Sequence, residues 1–166
     1  KLEHRIEIKN AGIVIVWPYL DRFFQMLEMT EKGQFKTEGD AIRAVHLIQY
    51  LVKGSSETPE HELLLNKILC GINLAIPVPL KIELTDKEKK TSDLMLNGVM
   101  RNWKKLKSSS IDAMREGFFI RQGFLEEKDD FWELEVEKKT IDILLKSLPW
   151  GFGMVKLPWM SKRIIV

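Results

Sequence analysis

The sequence contains a single cysteine, Cys70, among 166 residues, so no intrachain disulfide can form and no oxidising compartment is implied. It lacks a signal peptide, and it lacks the run of about 18 apolar residues that a membrane-spanning helix needs. An excess of one charge is missing too: 26 Lys and Arg stand against 24 Asp and Glu, a formal net charge of +2. Nucleic-acid binders concentrate basic residues on one face. Here the densest basic runs, residues 87–90 and 101–107, are short, and Glu88 interrupts the first. Both read as solvated helix faces.

Recognisable catalytic patterns are also missing. There is no phosphate loop, no dinucleotide glycine fingerprint and no Gly-x-Ser-x-Gly elbow. His61-Glu62 opens like a zinc-protease motif, but position 65 is leucine where the second histidine would stand. Asp129-Asp130 offers two carboxylates, too few to specify a divalent metal, and reads as a turn. Cys70 with His46 or His61 would make a thiolate–imidazole pair, the basis of a small hydrolytic or thiol enzyme. Against that, a lone cysteine between leucine and glycine at a helix end reads as a small packed residue. The sequence therefore assigns no catalytic, cofactor-binding or metal-ligating residues, and a non-enzyme is expected.

What is present is ordinary globular material: 45% hydrophobic and 30% charged residues. One compact domain spanning residues 1–166 is expected, mainly α with about five or six helices and one β-hairpin near the C-terminus, an α+β chain. Residues 6–9 alternate apolar and charged, a short extended lead-in. Residues 13–16 are β-branched and apolar, and periodicity leaves helix and buried strand both open. Leu20, Phe23, Phe24 and Leu27 then follow helical spacing, with Pro18 expected in the first turn. A helix over residues 41–52 is predicted with Asp40 as N-cap. Its apolar face is Ala41, Ala44, Val45, Ile48, Leu51 and Val52, with Arg43, His46 and Tyr50 opposite. His46 is expected to be a hydrogen-bonded boundary residue.

Thr58-Pro59-Glu60 predicts a further helix capped by Thr58 and closed at Cys70-Gly71, and residues 76–79 should be extended because of their prolines. Thr85 and Glu88 form a capping box that opens a long helix through Trp103 and Leu106. Ser109-Ser110 with Asp112 starts another helix. After Gly123 the period changes: Trp132, Leu134 and Val136 alternate with Glu133, Glu135 and Glu137, a strand that can pair with residues 124–128. Asp-Asp is a weaker turn than Asp-Gly, so a loop longer than two residues is allowed. Residues 140–148 read as helix, and Ile164-Ile165-Val166 ends the sequence.

Tryptophans are abundant. Trp17, Trp103, Trp132, Trp150 and Trp159 total five, and Trp103 and Trp132 read as core. Trp150 and Trp159 lie in LPWGFGMVKLPWM, where Leu-Pro-Trp occurs twice nine residues apart, outside any periodic element. Rigid aromatics on such a segment either plug a groove in their own domain or anchor a partner. Trp150, Phe152, Trp159 and Met160 are the partner-binding candidates.

Several phrases together carry a family resemblance. Asn10-Ala11-Gly12 leads into Trp17-Pro18-Tyr19-Leu20, and Ala44-Val45-His46-Leu47-Ile48-Gln49-Tyr50-Leu51 follows. Pro59-Glu60-His61-Glu62-Leu63, Leu65-Asn66-Lys67-Ile68-Leu69-Cys70-Gly71, Leu148-Pro149-Trp150-Gly151 and Leu157-Pro158-Trp159-Met160 complete the set. In this order they resemble the tape measure proteins of contractile injection systems. The resemblance implies a non-enzymatic structural protein that sets tube and sheath length in phage-tail-like particles, with no cofactor. It also implies protein partners among tube, baseplate hub or cap components, with self-association open and neither nucleic acid nor membrane insertion involved. The setting would be cytoplasmic during assembly and then within the particle. Since the sequence begins at Lys1-Leu2-Glu3 without methionine, the expectation is the C-terminal module of a longer chain. A compact module suits an end anchor better than an extended ruler.

Overall fold

The computed structural model describes residues 4–166; Lys1-Leu2-Glu3, on which the expectation of a longer chain rests, lies outside the described residues. In chain order the strands are β1 (Ile6–Ile8), β2 (Thr30–Glu31), β3 (Gln34–Phe35), β4 (Gly123–Glu127), β5 (Phe131–Val136), β6 (Met154–Val155) and β7 (Arg163–Ile165). The α-helices are α1 (Leu20–Met26), α2 (Glu38–Lys53), α3 (Leu64–Leu69), α4 (Asp86–Asn102) and α5 (Ile111–Met114). The chain is α+β, but the expectation of one hairpin is corrected. Among the described residues there is a five-stranded sheet ordered β1-β4-β5-β7-β6, and β2 pairs separately with β3.

β4 and β5 are the predicted antiparallel pair, with Leu125 opposite Leu134. Lys128 N donates to Phe131 O at 2.8 Å, so the loop is Asp129-Asp130 alone. Of the other strands of the sheet, β1 falls in the extended lead-in read at residues 6–9, while β6 and β7, of two and three residues, are too short for alternation to register. β7 runs parallel to β5, placing Ile164 beside Trp132, and β6 closes the edge antiparallel to β7. On β5, Trp132 and Leu134 are buried while Glu133 and Glu135 face solvent. The β2–β3 turn carries Lys32 and Gly33 at φ 53° and 74°, the paired positive values of a hairpin turn that matches strand twist.

Residues 13–16 resolve as neither strand nor α-helix. Ala11–Tyr19 is a 3-10 segment with Pro18 inside it, ahead of α1 rather than in its first turn. Residues 11–16 are all buried, so no polar face existed for a period to mark. α2 begins three residues earlier than predicted because Thr37, not Asp40, is its cap: Thr37 Oγ1 accepts from Asp40 N at 3.0 Å. The Thr85–Glu88 capping box opens α4 as expected. Pro59 precedes a 3-10 turn, Glu60–Glu62, and α3 starts only at Leu64. Thr140–Ser147 is 3-10 rather than α.

At the centre of the helical layer three buried carboxamides meet. Asn10 Nδ2 donates to Gln49 Oε1 at 2.9 Å and to Asn66 Oδ1 at 2.7 Å. Asn66 Nδ2 donates to Val45 O at 3.0 Å and Gln49 Oε1 at 3.1 Å. The cluster ties the start of the 3-10 segment to α2 and α3. Next to it, Ala11 N donates to Arg121 O at 3.0 Å. A Cβ on Gly12 would stand 1.6 Å from Phe118 O, so only glycine permits this approach.

Gly12→Ala should therefore cost more than about 4 kcal/mol in urea unfolding, the range of a core clash. Gly151→Ala, whose Cβ would meet nothing within 4 Å, should stay within about 0.5 kcal/mol. Equal losses at the two sites would contradict this packing.

Candidate docking surface

Both Leu-Pro-Trp segments fold back onto the chain, and each does so through an indole N–H. Trp150 Nε1 donates to Ile15 O at 2.7 Å, and its ring meets Tyr19 edge-on at 5.1 Å. In return, Trp17 Nε1 donates to Gly151 O at 2.9 Å. This two-way clasp fixes the first segment across the 3-10 segment Ala11–Tyr19. Nine residues on, Trp159 Nε1 donates to Leu69 O at 2.7 Å, with its ring 4.9 Å from Phe35 and 5.8 Å from Phe24. Gly71, at φ +69°, lies under it, where a Cβ would come within 2.3 Å of Trp159 O. Proline before each tryptophan fixes its own φ and keeps the preceding leucine extended, and at the second segment Met160 N donates to Leu157 O at 3.0 Å to close a turn across Pro158-Trp159.

The four residues singled out from sequence therefore divide. Trp159 is 8% exposed and Met160 4%, both inside the core. Trp150 and Phe152 are half-buried against it. Phe152 stands between Gly151 and Gly153, neither of which has an atom within 4 Å of its Cβ position, while their carbonyls accept from Trp17 Nε1 and Val166 N at 2.9 Å each.

Phe152 lines an open cavity of about 800 Å³ with Val14, Leu134, Val136, Leu145 and Ile165. At its edge Arg121, 3% exposed, holds both carboxylate oxygens of Asp142 and the carbonyls of Gly117 and Glu137. The Arg121 guanidinium keeps the Asp142 carboxyl below its usual range. Asp142 belongs to Thr140–Ser147, which has no fully buried residue and leaves Ile143 67% exposed. That segment is held instead by Asp142 and by Trp103 Nε1, which donates to Leu144 O at 2.9 Å. Met154, on edge strand β6, is 55% exposed. Exposed aliphatics beside an open apolar cavity are the kind of patch that binds protein. The buried tether Arg121–Asp142 was not legible in sequence; an arginine directly after the apolar run Phe118-Phe119-Ile120 was its only signal.

Of the thiol alternative, the structure gives the following. Cys70 is buried, and burial pushes its thiol well above the ordinary range, the opposite of an activated nucleophile. His46 is fully buried, with Nε2 bonded to Pro79 O at 2.6 Å. It was read as a boundary residue; its hydrogen bond is as expected, but residues 72–84 cover the face on which it stands. Among the described residues no group of three or more His, Cys, Asp or Glu could hold a metal ion, and no helix is long and apolar enough to cross a membrane. In the basic runs, Lys87 lies 3.6 Å from Glu28, and Trp103 and Leu106 are buried.

Two measurements check these placements. Trp159→Ala should lower unfolding free energy by about 3–5 kcal/mol, as for a buried aromatic, while Phe152→Ala should cost under about 1 kcal/mol. Cys70 should react with iodoacetamide at least about tenfold more slowly in the folded chain than in urea; equal rates would reopen the thiol chemistry.

No curated protein and no solved structure matches the chain. A family model described as contractile injection system tape measure protein matches residues 1–166, the whole sequence. The chain thus belongs to the contractile injection system tape measure protein family.

Proposed function

We propose that residues 1–166 form one domain, the C-terminal module of a longer tape measure protein, and that it docks that protein to a tube, baseplate hub or cap component. The observation that carries this reading is the half-exposed Phe152 between two unpacked glycines, at the mouth of a cavity of about 800 Å³. Trp150 and Phe152 are the contact residues, with Ile143, exposed on the segment Thr140–Ser147 whose Asp142 and Leu145 line the cavity. Trp159 and Met160 lie in the core. The docking is non-enzymatic and needs no cofactor. It is made to protein, in the cytoplasm during assembly, and persists within the finished particle.

An aromatic anchor in a desolvated seat carries much of the energy of a protein interface, whereas its removal from a free surface costs the fold little. Phe152→Ser with Ile143→Ser, placed in the full tape measure chain, should leave the melting temperature of the module within about 4 °C. Particle yield should fall by about tenfold or tube lengths should scatter in negative-stain micrographs. Particles of normal length and yield from this variant would overturn the reading. A variant module that appears only as free monomer where the parent forms dimers would move the contact to a second copy.

A further inference from the structure

Between α3 and α4, residues 72–84 form neither helix nor strand apart from a single bridge of Lys81 to Glu57. The stretch is rich in apolar residues and alternates: Ile72, Leu74, Ile76 and Val78 turn inward, while Asn73, Ala75, Pro77 and Pro79 stay exposed. Val78 belongs to the core, and Ile72 and Leu74 pack against it. Two prolines in three residues remove the donors that a strand ladder needs. Side chains, most of them ionisable, replace that ladder.

The attachments follow the strap in order. Lys67, buried, donates Nζ to Leu74 O at 3.1 Å and Ile76 O at 2.7 Å, and to Glu60 Oε1 at 2.7 Å. Glu60 Oε1 also accepts from Val78 N at 3.0 Å. His46 Nε2 meets Pro79 O at 2.6 Å. Thr58 N donates to Leu80 O at 2.9 Å, and Ile82 N to Ser56 O at 3.1 Å. Arg43 donates to Glu83 O at 2.6 Å while holding Glu88 by two bonds of 2.5 Å.

His46 differs from the other attachments. A carbonyl only accepts, so Nε2 carries the proton and Nδ1 is a bare acceptor. That Nδ1 is buried and has no partner. A second proton on the ring would place a charged N–H where nothing accepts it, one helical turn from Arg43. Arg43 on α2 is the charged group that acts on the ring. The other charged groups on the strap and on the elements packed against it are Glu88 on α4, Lys81 and Glu83 on the strap, and Glu60 and Lys67 from the α3 side; Glu88 is held by Arg43, Glu60 by Lys67, and Glu83 meets Arg43 through its carbonyl. His61 borders the far edge of the strap, beside Leu74, Ala75 and Pro77.

We propose that residues 72–84 are an acid-sensitive strap, latched by neutral His46 and released when that ring is protonated, uncovering the apolar surface beneath Val78. Burial lowers the pKa of His46 from its ordinary value, with the Pro79 bond opposing and Arg43 assisting. The sign follows from proton linkage. The closed state binds the second proton less well than the open state, whose histidine titrates near about 6.5. Closure is therefore fully favoured above that value and weakens as pH falls below it. Glu60 is held below the ordinary carboxylate range by Lys67 and Val78 N, so it stays ionised through the same window and its own titration does not contribute to the release.

Amide hydrogen exchange on the folded module, as protection factors at pH 7.5 and 5.5, tests this. Protection of Val78, Ile82 and Thr58 should fall by up to about tenfold, the limit for one proton over that interval, while Leu134 in the β4–β5 ladder keeps its protection. His46→Gln, whose amide can donate to Pro79 O without titrating, should abolish the change, and His61→Gln should retain it. Unchanged wild-type protection, or a change that survives in His46→Gln, overturns the strap. If His46→Gln does not fold, nitrogen NMR of the wild-type ring decides. Nδ1 protonation tracking the loss of Val78 protection supports the latch, and protonation with Val78 still protected refutes it.

Discussion

Three carboxamides shut away from water set the frame of this fold. Asn10, Gln49 and Asn66 bond to one another and to Val45 O from three separate elements. Breaking these bonds in a dry interior is costly, so the cluster favours one register of the 3-10 segment, α2 and α3, although Asn10 Oδ1 is left without a partner. Once Asn10 is fixed, Gly12 lies against Phe118 O and Ala11 against Arg121 O. That places the π-helical segment Arg115–Phe119, and β4 follows a few residues on. The phrases that carry the family resemblance contain the cluster: Asn10, Gln49 and Asn66 each stand in one of them. Much of that resemblance describes how the chain is built, not what it touches.

A second theme is the use of buried cations and indoles where ladders are missing. Lys67, Arg121 and Arg115 each hold backbone carbonyls of segments outside regular secondary structure or at helix ends: Leu74 and Ile76, Gly117 and Glu137, Tyr50 and Leu51. Trp103, Trp150 and Trp159 do the same with one N–H each. A chain with many short elements leaves many orphan carbonyls, and long side chains with a polar tip can reach them from the core. The abundance of tryptophan is therefore in large part a hydrogen-bonding device. The surface residues Phe152 and Ile143 have no such duty, which separates them from the tryptophans they accompany.

Legibility in sequence followed the range of the interaction. The Thr85–Glu88 box and the β4–β5 alternation are local, and both could be read directly. The Thr37 cap was misplaced by three residues because Asp40 is an equally good capping type, and only geometry chooses between them. β6 and β7 were illegible as strands, since two or three residues hold no period, and β1 was legible only as an extended segment, not as a partner of β4. His46 was placed on the outer face of its helix correctly, but nothing local announced that a proline-rich strap returns to cover it. Trp150 and Trp159 look equivalent in sequence. They differ because Gly71 lets the backbone at Trp159 press into α3, while Trp150 lies across the outer side of the 3-10 segment.

The strand order has a consequence for how the molecule comes together in time. β7, residues 163–165, lies inside the sheet between β5 and β6, and its pairing with β5 is parallel. A parallel neighbour needs a long crossover and gains nothing until the whole loop is in place. Synthesis delivers this strand after the 162 residues before it in the sequence, so the sheet stays open on its β5 side until translation has passed that point. During that interval Trp132 lacks its neighbour Ile164. A nascent chain paused there presents the unpaired β5 edge to whatever strand arrives first, its own or another's.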